Sequence, residues 1–131
     1  EWYTKLVGRM FKIDPAIQSA RLKFTANKFP GLAGFKEDAY WTDEWYDFQN
    51  ETTSGLKYIL SVDEKTYSAK AAWGQIKTEG MGDMHPIAWY HDYDGGRAFY
   101  TALGHQPAVY KDQAFLDHLY AGIMYAAKGI K

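Results

Sequence analysis

Apolar and polar positions alternate along this chain with two different periods, and the changes of period outline its elements. Residues 2–11 carry Trp2, Tyr3, Leu6, Val7, Met10 and Phe11 at helical spacing, with Asp14-Pro15 as a stop signal. Residues 20–26 alternate Leu22, Phe24 and Ala26 against Arg21, Lys23 and Thr25, the pattern of a half-buried strand. A loop rich in glycine and proline follows over 27–34. Residues 41–48 read as a short strand running into a turn. Residues 58–62 read as a strand closed by the polar turn Asp63-Glu64-Lys65, and 70–83, with three glycines and little period, as a loop.

The strongest local signal is a hairpin. Residues 87–93 and 97–103 flank Asp94-Gly95-Gly96, whose glycines suit a tight turn and, with a strand after them, do not form a phosphate loop. Arg97 is expected to pair with Asp92 or Asp94 across that turn. Asp112 is placed to cap a last helix reaching about Lys128. The apolar face expected for it is Phe115, Leu116, Leu119, Tyr120, Ile123, Met124 and Ala127, with His118 facing solvent.

This inventory is rich in strands and has only two convincing helices, whereas parallel strands need crossover helices. The reading is therefore an α/β chain that forms the C-terminal part of a larger domain, with a self-standing α+β domain as the alternative.

Composition narrows the chemistry. The 131 residues carry 15 basic and 16 acidic side chains without a basic stripe, so nucleic acid is not an expected partner. No apolar run reaches the roughly 20 residues of a membrane-spanning helix, so no membrane partner is expected either. There is no cysteine, hence no disulfide, thiolate nucleophile or thiolate-bound metal. No short histidine spacing supports a metal among His85, His91, His105 and the acids at 43 and 44, and no cofactor is expected.

Two sets of residues stand out as candidate chemistry. His105 follows a strand end and a glycine, where an imidazole can act as general base or acid; its bland alternative is a cap on the strand end. Asp43 and Glu44 lie within an aromatic cluster of Tyr40, Trp41, Trp45 and Tyr46. Neighbours on a strand point to opposite faces, so one carboxylate faces any site, and Glu44 is the choice. Trp45 and Tyr46 are candidates to stack on a sugar, and Asp43 to bind its hydroxyls. His91 shares a strand face with Ile87, Trp89 and Tyr93, which favours a packed histidine. His85 precedes Pro86 at a strand entry, from which it could reach a site as readily as serve the loop.

Five segments in order carry a family resemblance. They are Trp2-Tyr3-x-Lys5-Leu6-Val7-Gly8, Thr42-Asp43-Glu44-Trp45-Tyr46, Met81-Gly82-Asp83-x-His85-Pro86-Ile87-Ala88-Trp89, Gly95-Gly96-Arg97-x-Phe99-Tyr100-Thr101-x-Leu103-Gly104-His105, and the helix with Phe115-Leu116. The chain resembles the ThuA-like (trehalose utilisation) family along essentially its whole length. The resemblance implies a flavodoxin-like, class I glutamine amidotransferase-like three-layer sandwich, of which residues 1–131 are the C-terminal portion with an antiparallel hairpin. It implies that the first parallel strands and a Gly-x-His elbow lie upstream of Glu1. It also implies a link to disaccharides and their keto derivatives, with a secreted or periplasmic setting favoured. Glutaminase activity is not expected, because the amidotransferase pattern His-Pro-Glu is replaced by His105-Gln106-Pro107.

The expectation is a carbohydrate-related protein that binds and transforms a sugar or keto-sugar, as a hydrolase or isomerase. His105 and Glu44 are its candidate catalytic residues. Asp43, Trp45, Tyr46, His85 and His91 are its candidate binding residues. The expected partners are a small carbohydrate, the rest of its own domain and a second copy of the chain. The alternative is a non-catalytic module that uses the same crevice for binding.

Overall fold

The computed structural model describes residues 1–129. Its first helix, α1 (Trp2–Val7), is shorter than the apolar spacing implies. Gly8 ends it at a φ of 89°, and a Cβ there would lie 2.7 Å from Leu56 Cδ2, so neither a helical continuation nor a larger residue fits. The chain turns instead into β1 (Arg9–Ile13), which pairs antiparallel with β4 (Asp47–Glu51). Two side chains of the main sheet hold the end of α1. Trp89 Nε1 donates to the Val7 carbonyl at 2.8 Å, and a 2.9 Å hydrogen bond joins His91 Nε2 to the Leu6 carbonyl.

The main sheet has five strands in the order β3 (Tyr40–Asp43), β2 (Gln18–Phe24), β5 (Lys57–Asp63), β8 (His85–Tyr93) and β9 (Gly96–Thr101). Every strand pairing among the described residues is antiparallel. The parallel strands expected of a flavodoxin-like sheet are therefore not among them; what they form is a mixed α/β unit with two α-helices. The connections explain this, since none between neighbouring strands contains the crossover helix that parallel pairing requires. The β8–β9 hairpin forms as its turn residues demand, with Asp94 and Gly95 both at positive φ (51° and 76°).

Residues 70–83 are not simply a loop. They contain a small hairpin of β6 (Ala71–Trp73) and β7 (Ile76–Thr78), turned through Gly74 at a φ of 59°. Strands of three residues are too short to display a period in sequence.

α2 (Gln113–Lys128) begins as expected, with the Asp112 carboxylate accepting from the Ala114 amide. Its buried face differs from the expected one. Phe115, His118, Gly122 and Tyr125 face the sheet, whereas Leu116, Tyr120 and Ile123 are exposed. Gly122 sets the rotation: the Phe99 ring of β9 lies so close that a Cβ there would overlap it, so the helix approaches through its smallest residue. His118 is accordingly fully buried rather than solvent-facing. It packs among Phe29, Phe35 and Phe99, and Thr101 Oγ1 lies 3.1 Å from its Nε2. Burial pushes its pKa down to about 4. Arg97 does not pair across the turn; it donates to the Tyr125 and Ala127 carbonyls and so closes the C-terminus of α2.

Candidate active site

Two adjacent carboxylates part at the end of β3, Asp43 as its last residue and Glu44 just beyond it. Asp43 turns inward and is completely buried. One of its oxygens accepts from the His105, Gln106 and Glu44 amides at 3.1, 3.3 and 3.1 Å, and the other from the Gly104 amide at 2.7 Å. The loop that leaves β9 wraps its amides around this carboxylate as an anion-binding nest would, with protein supplying both halves. Gly104 is needed at that bend. Its φ is 107°, and a Cβ would stand 2.9 Å from the Phe115 ring.

The consequence is the placement of His105 over Glu44, which turns outward. His105 Nδ1 lies 2.8 Å from Glu44 Oε2. Glu44 thus stands beside the Nδ1 edge of the ring, and Nε2 has no hydrogen-bond partner among the described residues. The imidazole is 44% exposed and its carboxylate partner 18%. The two candidates for proton transfer, distant in sequence, are in contact.

They border a cleft of about 380 Å³ lined by Phe11, Asp14, Glu44, Tyr46, Trp73 and His105. Tyr46, expected at the site, forms part of its wall. Phe11, Asp14 and Trp73 are additions that sequence reasoning misses. The first two follow α1, where the sequence reads as helix and helix stop. Trp73 lies on the unexpected β6–β7 hairpin. The aromatic wall is continuous, with Phe11 edge-on to Tyr46 at 5.0 Å between centroids and tilted against Trp73 at 5.9 Å. Asp14 is 7% exposed. Burial, and secondarily the charge of Glu44, raise its pKa, while His105 pulls it back in part. Burial beside Glu44 likewise pushes the Tyr46 phenol up to about 12.

Asp43, Trp45, His85 and His91 are buried, and none lines the cleft. Trp45 points into the core and donates its Nε1 proton to the Gln18 carbonyl at 2.9 Å. His91 serves the end of α1. His85 belongs to a separate buried network. Its Nδ1 lies 2.7 Å from Glu64 Oε1 and 3.1 Å from the Tyr67 hydroxyl, and its Nε2 is 2.8 Å from the Tyr46 carbonyl. Glu64 also accepts from the Met81 and Gly82 amides. Asp47, hydrogen-bonded to Thr78, completes this group, and burial raises its pKa.

Asp47, Glu64 and His85 each offer a ligand atom within 4.8 Å of the others, a spacing compatible with a metal ion. The donor set fits one poorly. Glu64 lies against Nδ1 and Asp47 is 3.9 Å from Nε2, so the carboxylates stand at opposite ring nitrogens, both already hydrogen-bonded. A larger groove of about 550 Å³ runs between α2 and the segment at Phe29 and Pro30. It is mainly apolar, with Asp117 and Lys128 in its lining, and holds no imidazole.

The fold and the cleft together define a mixed α/β domain with a carboxylate-oriented imidazole beside an aromatic wall. The chain belongs to the ThuA family, described as trehalose utilisation, whose family model matches residues 1–126. That membership indicates a carbohydrate function related to trehalose utilisation. No curated protein and no solved structure matches the chain. Among the described residues no helix is long and apolar enough to cross a membrane.

Proposed function

We propose that the cleft at His105 and Glu44 binds a sugar or keto-sugar glycoside and transforms it by proton transfer. The 2.8 Å contact between His105 Nδ1 and Glu44 Oε2 carries this reading. A carboxylate on Nδ1 fixes the tautomer whose Nε2 lone pair is free to accept a proton, and this nitrogen belongs to a ring that borders the cleft. Phe11, Tyr46 and Trp73 supply flat apolar faces of the kind a pyranose ring stacks on, beside carboxylates that accept from its hydroxyls. Trp73, half exposed, takes the stacking role that the sequence suggests for Trp45. Hydrolysis or isomerisation beside a carbonyl both suit this set of groups.

The same reading takes residues 1–131 as the C-terminal part of a larger flavodoxin-like, three-layer domain that supplies the remaining walls of the site. Membership of the family over residues 1–126 supports it.

The test is turnover by the full-length protein on trehalose, p-nitrophenyl glucosides and their keto derivatives, beside His105→Ala and Glu44→Ala. The expected result is activity in the wild type and a loss of about 100-fold or more in each variant. Turnover that survives both substitutions would sink the assignment. Ligand-dependent thermal stabilisation without turnover would leave a binding module in its place.

A further inference from the structure

We propose that Asp14 is the proton donor of the cleft, acting on the leaving oxygen of a glycoside in the space it lines together with His105 and Glu44. This rests on the reading of the cleft as a glycoside site. The cleft holds two carboxylates, and their surroundings divide the labour. Glu44 Oε2 lies 2.8 Å from His105 Nδ1 and is paired with that ring. Asp14 lines the same cleft, is 7% exposed, and takes no hydrogen bond from another side chain among the described residues.

Its place is fixed by the fold. It follows Ile13, the fully buried last residue of β1, and precedes Pro15, which restricts its backbone to extended conformations. The titratable groups around it are Glu44, His105 and Asp47. Burial and the negative charge of Glu44 favour the protonated form, which is the form a donor needs.

The step balances with water alone. Asp14 gives its proton to the bridging oxygen as the bond from the sugar carbon to that oxygen breaks, and the bonding pair stays with the oxygen. A water oxygen bonds to the same carbon while His105 Nε2 takes one proton from that water. One water is added across the glycosidic bond, and proton exchange with solvent resets both residues.

A donor matters most when the leaving group is a poor one. In the full-length protein, Asp14→Asn is expected to lose about 100-fold or more in kcat/KM on methyl glucoside, and under about 10-fold on p-nitrophenyl glucoside, whose phenolate leaves unaided. The alkaline limb of the kcat/KM profile should disappear in the same variant. Carboxyl NMR should show Asp14 titrating above the ordinary aspartate range, and lower in Glu44→Gln. Equal losses on both substrates, or full activity beside an inactive His105→Ala variant, would overturn the donor role while leaving the cleft intact. A normal Asp14 titration would overturn it whatever the kinetics show. Absence of any turnover by the wild type would overturn the reading of the cleft and the donor role together.

Discussion

His85 lies 2.7 Å from a Glu64 oxygen, and His105 lies 2.8 Å from a Glu44 oxygen. The two pairs share a chemical type and a distance, yet they are built for different tasks. The imidazole of His85 is completely buried, both its ring nitrogens face oxygens, and its carboxylate also holds two backbone amides of the 81–82 loop. His105 sets one nitrogen beside Glu44, its other nitrogen has no hydrogen-bond partner among the described residues, and the ring borders an open cleft. Distance therefore does not separate a structural histidine from a chemical one. Access and a spare nitrogen do.

The largest effect should come from breaking the buried pair. Glu64→Ala removes the partner of a buried imidazole and the acceptor of the Met81 and Gly82 amides, so it should cost about 3–5 kcal/mol of stability. Urea denaturation measures this. A loss near that of an exposed ion pair would show that water reaches the His85 network.

His118 gives the second test, because it is a buried histidine with no carboxylate beside it among the described residues. Its folded pKa of about 4 lies below the ordinary 6.5, so between those values the unfolded chain binds a proton that the folded chain refuses. Its contribution is complete above about pH 6.5 and is lost as pH falls toward 4, a change on the order of 3 kcal/mol. His118→Leu should flatten that acid limb in urea midpoints measured against pH. An unchanged limb would move the cause to other groups.

How much of this is legible in the sequence follows from what each signal depends on. The β8–β9 hairpin is readable because Asp94-Gly95 specifies its own turn locally. The cap of α2 is readable for the same reason. That only one of the neighbouring Asp43 and Glu44 would face a site follows from strand alternation, although Glu44 itself lies just past the end of β3. The face of α2 is not readable: the close approach is made by Gly122 and His118, which an apolar count ignores, while Leu116 and Ile123 remain exposed. Asp14 and Trp73 are invisible as site residues because their place depends on which distant segments fold over the end of β9. The contact between Glu44 and His105 is also non-local, and nothing in their sequence spacing specifies it.

Asp43 links the two kinds of environment, being a buried carboxylate that serves the open site. Asp43→Asn keeps the volume but loses charge and acceptors, and should cost about 2 kcal/mol through the Gly104, His105 and Gln106 amides. Its loss of activity should exceed what that destabilisation explains at a temperature where the protein is fully folded. Native turnover in Asp43→Asn would show that the loop holds His105 without this anchor.

The smallest effect on stability should be at the open pair, and it sharpens the contrast most. Exposed ion pairs contribute about 0–1 kcal/mol, since solvent screens them and the side chains lose freedom in forming them. His105→Ala and Glu44→Gln should therefore unfold within about 1 kcal/mol of the wild type in the denaturation experiment that unfolds Glu64→Ala early. Their effect should fall on turnover instead, at about 100-fold or more. In Glu44→Gln the ring keeps a polar neighbour at Nδ1 but loses the charge that stabilises an imidazolium, so kcat should fall more than KM changes. A stability loss as large as that of Glu64→Ala would place His105 with His85 among the structural histidines, and the cleft would lose its base.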